Sequence, residues 1–73
     1  MSMKDHTVFN CLRNLREETK ITQDKLAKTV GTSRQTICAM EKGEYIPSLR
    51  LALLIAQHFN HPVEDVFQLK RKC

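Results

Sequence analysis

The sequence predicts an all-α protein, a compact domain of five helices. The chain has 73 residues, which suits one domain and leaves little room for a deep substrate cleft. Apolar residues recur at helical spacing through most of the chain, and the alternation typical of strands is scarce. The two glycines and two prolines lie between the periodic segments, where helices are expected to begin and end.

The first helix is predicted over residues 9–20, because Phe9, Leu12 and Leu15 recur there at helical spacing. Residues 1–8 are predicted to form an N-terminal arm, since chain ends without a periodic apolar pattern are usually poorly ordered. The folded domain is therefore expected to start with this helix.

The second helix is predicted over residues 23–30 and the third over residues 34–42. Thr22 and Ser33 precede them, and their hydroxyls suit an N-cap, which accepts a hydrogen bond from a backbone N–H of the first turn. Gly31 follows the second helix, where a left-handed residue commonly ends a helix. The two helices are therefore expected to be joined by a tight turn.

The fourth helix is predicted to begin at Pro47 and Ser48 and to reach Phe59. Pro62 then favours a short fifth helix over residues 63–68, since proline is well tolerated where a helix begins. These five helices account for all the periodic apolar segments of the chain.

The net charge of the chain favours a negatively charged partner. Twelve Lys and Arg residues against eight Asp and Glu residues leave a net charge of +4 at pH 7. That balance suits a polyanion, because cationic side chains release counterions condensed on phosphates, although plain solubility also explains a modest charge. The folded domain is assigned to residues 9–69. Residues 70–73 form a basic tail, for which phosphate contact and a solvated terminus both remain open.

The cysteines predict a reducing compartment. Cys11, Cys38 and Cys73 are odd in number and show no CxxC spacing, and no signal peptide is recognised before them. Three reduced thiols in a cytoplasmic, nucleoid-associated protein are therefore expected. The apolar run of residues 51–56 is too short to span a bilayer, so no membrane partner is expected.

Catalytic and metal sites are not predicted. The sequence shows no nucleophile–base pair, metal-ligand set or phosphate-binding loop, so an enzyme and a cofactor are both disfavoured. His58 and His61 are three residues apart, but no cysteine or carboxylate completes a tetrahedral set, and surface histidines are favoured over a metal site. Cys38 is interpreted as an inert small residue rather than a sensor of oxidation.

The segment of residues 22–41, TQDKLAKTVGTSRQTICAME, predicts a helix-turn-helix unit. Ala27 is small where two helices must cross closely, and Gly31 supplies a positive φ at the bend without steric cost. The third helix then projects its N-terminal turn outward. A helix presented in this way fits the major groove of DNA, which is about 12 Å wide.

The exposed turn that begins the third helix carries residue types that recognise DNA. Arg34 suits a two-point contact with guanine, and Gln35 suits adenine. Ser33 suits a phosphate or a base edge, whereas for Thr36 a phosphate contact and simple packing both remain open. Gln23 begins the preceding helix and is expected to place its backbone amide and side chain on a phosphate.

Five segments of the sequence, in order, resemble the Cro/CI, or Xre, family of helix-turn-helix proteins. Together they cover about residues 12–67, which is most of the chain. A single helix-turn-helix pattern is moderately specific, whereas five matching segments in order are strongly specific. The segments are LRxLREE at 12–18, TQxxLA at 22–27, GxSRQTI at 31–37, PSLxLA at 47–52 and VEDVF at 63–67.

The resemblance implies a lambda-repressor-like fold that binds double-stranded DNA as a homodimer. It places the recognition helix Arg34–Lys42 in the major groove. It also implies an ion pair between the first and third helices, which falls on Arg16 and Glu41. The implied contacts with DNA are Gln23, Ser33, Arg34, Gln35 and Thr36.

Three further residues border the implied DNA-facing surface. Ala39 falls at a frequent base-contact position, where its methyl group suits a thymine methyl and nothing else. For Lys42 and Tyr45, phosphate contact and ordinary surface placement both remain open. The sequence departs from the usual family pattern at Thr32, which replaces an apolar turn residue.

The dimer surface is expected near the C-terminal end of the domain. A helical wheel of the fourth helix turns Leu49 and Leu53 toward the core and leaves Leu54 on the solvent side. The fifth helix is too apolar for so small a core to cover completely. The predicted interface is Leu54, Val66, Phe67 and Leu69, with the loop of residues 44–47 as the next choice.

A sequence-specific transcriptional regulator is the favoured function. Repression is favoured over activation because the sequence shows no effector domain, and a homodimer predicts an operator with two-fold symmetry. The main alternative is a protein-interaction module of the same fold, such as an antitoxin, with a toxin or a co-regulator as its partner.

Overall fold

The computed structural model describes residues 7–70 and 73. It confirms the all-α class, with five helices in the predicted order. Most of the predicted N-terminal arm lies outside the described residues, as do Arg71 and Lys72 of the predicted tail. The elements are β1 (Phe9–Asn10), α1 (Leu12–Glu18), α2 (Gln23–Val30), α3 (Arg34–Glu41), α4 (Leu49–Phe59), α5 (Val63–Val66) and β2 (Phe67–Gln68).

Three helices begin at side-chain caps. The hydroxyl of Thr22 accepts a hydrogen bond from the backbone N–H of Lys25, at 3.0 Å. Ser33 caps α3 in the same way, and Ser48 caps α4. Caps of this type stabilise a helix by about 1 kcal/mol each, so these three residues fix where α2, α3 and α4 begin.

Gly31 ends α2 in the left-handed conformation, with a φ of 81°. Its backbone N–H donates to the carbonyl oxygen of Ala27 at 2.9 Å, and the N–H of Thr32 donates to the same oxygen. Residues with a Cβ atom pay a steric cost at such a φ, and glycine does not. The predicted tight turn between the two helices is therefore present.

The first helix is shorter than predicted, because the chain before it forms a strand. Phe9 and Asn10 pair antiparallel with Gln68 and Phe67. The helical assignments predicted for residues 9–10 and for residues 67–68 were therefore wrong. The side-chain oxygen of Asn10 accepts a hydrogen bond from the backbone N–H of Leu12 at 3.1 Å, which starts α1 after the strand. The fifth helix likewise stops at Val66 because the chain extends into β2.

The core receives side chains from all five helices. The close approach of α2 and α3 depends on the small Ala27, which is 1% exposed. All described buried side-chain nitrogen and oxygen atoms have a hydrogen-bond partner. The largest fully buried side chains are Leu12, Leu26, Ile37, Met40, Ile55 and Val66.

The predicted orientation of α4 was wrong for three leucines. Leu49 is 72% exposed and Leu53 is 49% exposed, whereas Leu54 is half-buried against the core. The reason is that α2 packs against the other flank of α4, where Leu54 lies beside Val30. Within residues 7–70, no element covers the flank that carries Leu49 and Leu53.

The predicted set of three reduced thiols was also wrong. Cys11 and Cys73 form a disulfide, with their Cα atoms 5.8 Å apart, and Cys38 is free. Spacing in the sequence gave no sign of this pairing, because β1 and β2 bring distant parts of the chain together. In the described part of the chain, every helix is too short or too polar to cross a bilayer.

Candidate nucleic-acid interface

Helices α2 and α3 form a rigid pair with one outward edge. Ile37 and Met40 fix α3 from the inside, since both side chains are fully buried. Ser33, Arg34 and Gln35 at its N-terminal end are exposed. Because the anchoring residues and the exposed residues lie on opposite sides of one helix, the first turn of α3 is presented to solvent on a fixed support.

The N-terminus of α3 is closed by two hydroxyl groups. The backbone N–H of Thr36 donates to the Ser33 hydroxyl at 3.1 Å, and the two hydroxyls share a hydrogen bond of 2.9 Å. Ser33 is exposed and Thr36 is half-buried, so the pair orders the turn and still presents oxygen atoms to solvent.

A hydrogen-bond network ties this unit to α1. Arg16 Nε donates to Glu41 Oε2 at 2.7 Å, and Arg16 Nη2 donates to Glu41 Oε1 at 3.2 Å. Gln23 Nε2 donates to the same Oε1 at 3.1 Å. Glu41 therefore joins the first residue of α2, the end of α3 and the middle of α1.

The Arg16–Glu41 pair is mostly removed from solvent, with side chains 17% and 6% exposed. Arg16 also donates from Nη1 to the carbonyl oxygen of Ile21 at 3.1 Å. Hydrogen bonding to Glu41 raises the pKa of Arg16, although burial opposes the shift. The guanidinium therefore stays protonated, and the carboxylate of Glu41 balances its positive charge. Arg16 serves to hold α1 against α3.

A groove of about 470 Å³ lies between α1, α2 and α3. We name it the recognition groove. Of its cations, Arg34 is exposed on α3, Lys42 is exposed at the C-terminal cap of that helix, and Arg13 lines the groove from α1. The carboxylates that line the groove, Glu41 and Asp24, are paired with Arg16 and Lys28. Arg34 and Lys42 have no ion pair among the described residues, and cations at a concave surface attract phosphates. The groove is lined by Arg13, Gln23, Arg34, Cys38, Glu41 and Lys42, among others.

The outer face of α3 brings together the other predicted DNA contacts. Ala39 lines a shallow depression together with Gln35 and Lys42, so these residues share one face of the helix. Tyr45 lies in the loop after α3 and is 45% exposed. Every residue predicted to face DNA is therefore accessible on α3, its cap, the start of α2 or the loop that follows α3.

The predicted dimer residues do not form one exposed surface. Val66 is fully buried in the core, so its assignment to a dimer interface is corrected. Phe67 and Leu54 are half-buried and pack against the same core, whereas Leu69 is 60% exposed.

A different exposed apolar surface includes part of the loop of residues 44–47, which the sequence analysis took as its second choice of interface, and two α4 leucines that the sequence analysis missed. It consists of Tyr45, Ile46, Leu49 and Leu53, of which Ile46 is 65% exposed and Leu49 is 72% exposed. We name it the loop–α4 surface. The exposed Ile46, in an otherwise polar loop, was the signal in the sequence for this surface. The helical wheel wrongly assigned Leu49 and Leu53 to the core.

Comparisons with known proteins agree with the helix-turn-helix arrangement described above. Residues 12–66 match the helix-turn-helix family HTH_3. The chain is 48% identical over 63 residues to YgzD, an HTH-type transcriptional regulator of Bacillus subtilis, covering 86% of this chain and 96% of that protein. An HTH-type transcriptional regulator of Methanocaldococcus jannaschii is 52% identical over 58 residues, or 80% of this chain and 88% of that one.

A solved structure shows the same arrangement of helices. The restriction-modification controller protein C.AhdI from Aeromonas hydrophila superimposes with a TM-score of 0.69 at 28% identity. The match covers 74% of this chain and 82% of the controller protein. The similarity therefore covers about three quarters of this chain.

Proposed function

This chain belongs to the helix-turn-helix family HTH_3 of DNA-binding transcriptional regulators, and from that premise we propose that it represses transcription as a homodimer on a palindromic operator. The supporting observation is the first turn of α3, which is exposed, capped and rigidly supported. A helix presented in this way enters the major groove with its N-terminal residues against the base edges.

Arg34 and Gln35 are the proposed base readers. Both are exposed at the start of α3, and neither takes part in a hydrogen bond described within residues 7–70 that would hold it away from DNA. Arginine pairs with two acceptors of guanine and glutamine with the acceptor and donor of adenine. Ala39 lies on the same face and offers a methyl group to thymine.

Phosphate contacts are proposed on both sides of the base readers. The side-chain nitrogen of Gln23 is bonded to Glu41, so we propose its backbone N–H, at the start of α2, as the phosphate contact in place of the side chain that the sequence predicted. Ser33 and Thr36 offer hydroxyls at the start of α3, and Lys42 and Tyr45 lie beyond its other end. Contacts of this kind fix register and carry no sequence information.

The second subunit is proposed to cover the aliphatic part of the loop–α4 surface and to leave Tyr45 at its edge facing DNA. Its exposed aliphatic residues are Ile46, Leu49 and Leu53, and exposed apolar patches of this kind commonly mark protein contacts. The surface begins at Tyr45, in the loop that follows α3. We propose that a copy of the chain bound there presents a second recognition helix to the same duplex, as a two-fold operator requires.

The decisive experiment selects genomic DNA fragments bound by the purified protein and maps the protected bases by footprinting. We expect an inverted repeat whose half-sites lie about 34 Å apart, or a multiple of that distance. Protection of a single asymmetric half-site by one monomer would contradict the dimeric proposal and leave DNA binding intact. In the cell, such a regulator works in the cytoplasm, associated with the nucleoid.

A further inference from the structure

A second groove, which we name the α1 groove, lies between the beginning of α1 and the end of α3. It has a volume of about 420 Å³, and Arg13, Asn14 and Lys42 contribute polar groups to its lining. Arg13 and Lys42 also line the recognition groove, so the two grooves adjoin at these side chains. The surface proposed to face DNA therefore continues onto α1, a helix to which no DNA contact has been assigned above.

The flank of α1 that carries Arg13 is fixed against the end of α3. Arg13 and Arg16 are three residues apart on one helix, so they project from neighbouring turns of the same face. Arg16 binds Glu41, the last residue of α3, at 2.7 Å. Before α1, Asn10 donates from Nδ2 to the carbonyl oxygen of Met40 at 2.8 Å. Contacts with α3 on both sides of Arg13 in the sequence thus set its position relative to the recognition helix.

The guanidinium of Arg13 is accessible to a ligand. Its side chain is 70% exposed, and its Nε lies 3.3 Å from Oε2 of Glu17, which is also exposed. An exposed pair of this kind is weak, because water and salt screen it and two long side chains lose freedom to form it. Arg16, by contrast, is mostly buried and bound to Glu41. Arg13 is therefore the α1 arginine that can exchange its carboxylate partner for a phosphate.

We propose that Arg13 binds a phosphate of the DNA backbone, which extends the DNA-binding surface from α3 past Lys42 onto α1. The inference rests on the proposed function, because the phosphate belongs to the duplex whose major groove receives α3. Phosphate backbones border that groove, and the planar fork of an arginine matches two phosphate oxygens. Glu17 holds Arg13 in the free protein and competes with the phosphate for it.

The contact has a measurable signature, because binding a phosphate releases counterions. One contact contributes about 0.9 to the log–log slope of affinity against salt, which corresponds to about eightfold in affinity at 0.1 M salt. Arg13→Gln should lose both, and Arg13→Lys, which keeps the charge, should retain most of the slope. Fluorescence anisotropy of a labelled random-sequence duplex measures these quantities over about 50–200 mM salt.

Lys28→Gln is the matched control. Lys28 forms an exposed pair with Asp24 at 3.2 Å, also four residues apart on one helix, and it lines neither groove. The Arg13→Gln and Lys28→Gln proteins have the same net charge and have each lost one weak ion pair. A larger loss of affinity and slope in Arg13→Gln therefore reports the position of the cation rather than its charge.

A double-mutant cycle tests the competition with Glu17. Glu17→Gln frees Arg13, so the affinity for duplex should rise, and the rise should be larger with Arg13 present than in the Arg13→Gln background. Glu17 is exposed, so circular dichroism should show an unchanged fold. Because Glu17→Gln leaves Arg13 in place, it remains informative even if Arg13→Gln folds poorly.

The outcomes are distinct. Equal affinities and slopes of Arg13→Gln and Lys28→Gln would overturn the α1 contact and leave the proposed function standing. Equal gains from Glu17→Gln in the two backgrounds would overturn the competition between Glu17 and the phosphate. Absence of duplex binding by the unsubstituted protein would overturn the proposed function and the α1 contact with it.

Discussion

Arg16 and Glu41 lie 25 residues apart in the sequence and are joined by two hydrogen bonds between α1 and the last residue of α3. Glu41 Oε1 also accepts from Gln23. One carboxylate therefore links the recognition helix to α1 and α2, in addition to the buried anchors Ile37 and Met40. This geometry makes Glu41 a polar residue whose loss affects three helices at once.

Replacement of Glu41 by alanine is expected to destabilise the protein by about 2–3 kcal/mol, because it leaves Arg16 mostly buried without its partner. Urea denaturation followed by circular dichroism measures the loss. Lys28→Ala is the matched control, since it breaks an exposed ion pair with Asp24 and should change stability by less than about 0.5 kcal/mol. Equal effects of the two substitutions would contradict the proposed importance of the network.

Arg34→Ala and Gln35→Ala are expected to reduce sequence discrimination more than non-specific affinity. A good two-point base contact contributes about 1–3 kcal/mol of discrimination. Competition between the selected operator and random duplex measures it. Arg50→Ala and Gln57→Ala remove the same side-chain types from exposed positions on α4 and should leave discrimination unchanged. If Arg34→Ala and Gln35→Ala weakened binding to both DNAs equally, these residues would not be base readers.

Substitutions at Gly31 are expected to act through backbone strain alone. Nothing lies within 4 Å of a Cβ atom built there, so the φ of 81° is the sole obstacle. Gly31→Ala should cost about 1–2 kcal/mol, and Gly31→Val should cost more because β-branched residues tolerate this φ least. Gly31→Asn should cost least. Thermal melting orders the three variants, and an unchanged melting temperature for Gly31→Val would refute the assigned turn.

Leu49→Asp/Leu53→Asp is expected to yield a folded monomer that no longer binds the operator. Both side chains are exposed in the single subunit, so the substitutions spare the core. Sedimentation equilibrium gives the mass, and circular dichroism checks the fold. Leu69→Asp is the control at an exposed leucine outside the loop–α4 surface. If the double variant stayed dimeric while Leu69→Asp dissociated, the interface would lie near β2 instead.

The sequence was most informative where local chemistry decides the structure. The caps Thr22, Ser33 and Ser48 and the left-handed Gly31 each act within one turn of helix, so their roles follow from neighbouring residues. The exposed turn of α3 follows from the same residues. The central half of the molecule, including the exposed first turn of α3, was therefore predictable.

The rest depends on contacts between distant residues. Strands of two residues such as Phe9–Asn10 contain no measurable alternation, so β1 and β2 were assigned to helices. The Cys11–Cys73 bond in turn depends on that pairing. On α4, the flank that becomes buried is decided by where α2 packs, and the helical wheel of one segment carries no information about its neighbour.

The pairing of β1 with β2 also orders events during synthesis. Helices α2 and α3 adjoin through a short turn, so their mutual contacts require little loop-closure entropy. The partner of β1 follows both helices in the sequence, because β2 comes after α4 and α5. A nascent chain can therefore bring α2 and α3 together early, while the small sheet forms only after β2 has been synthesised.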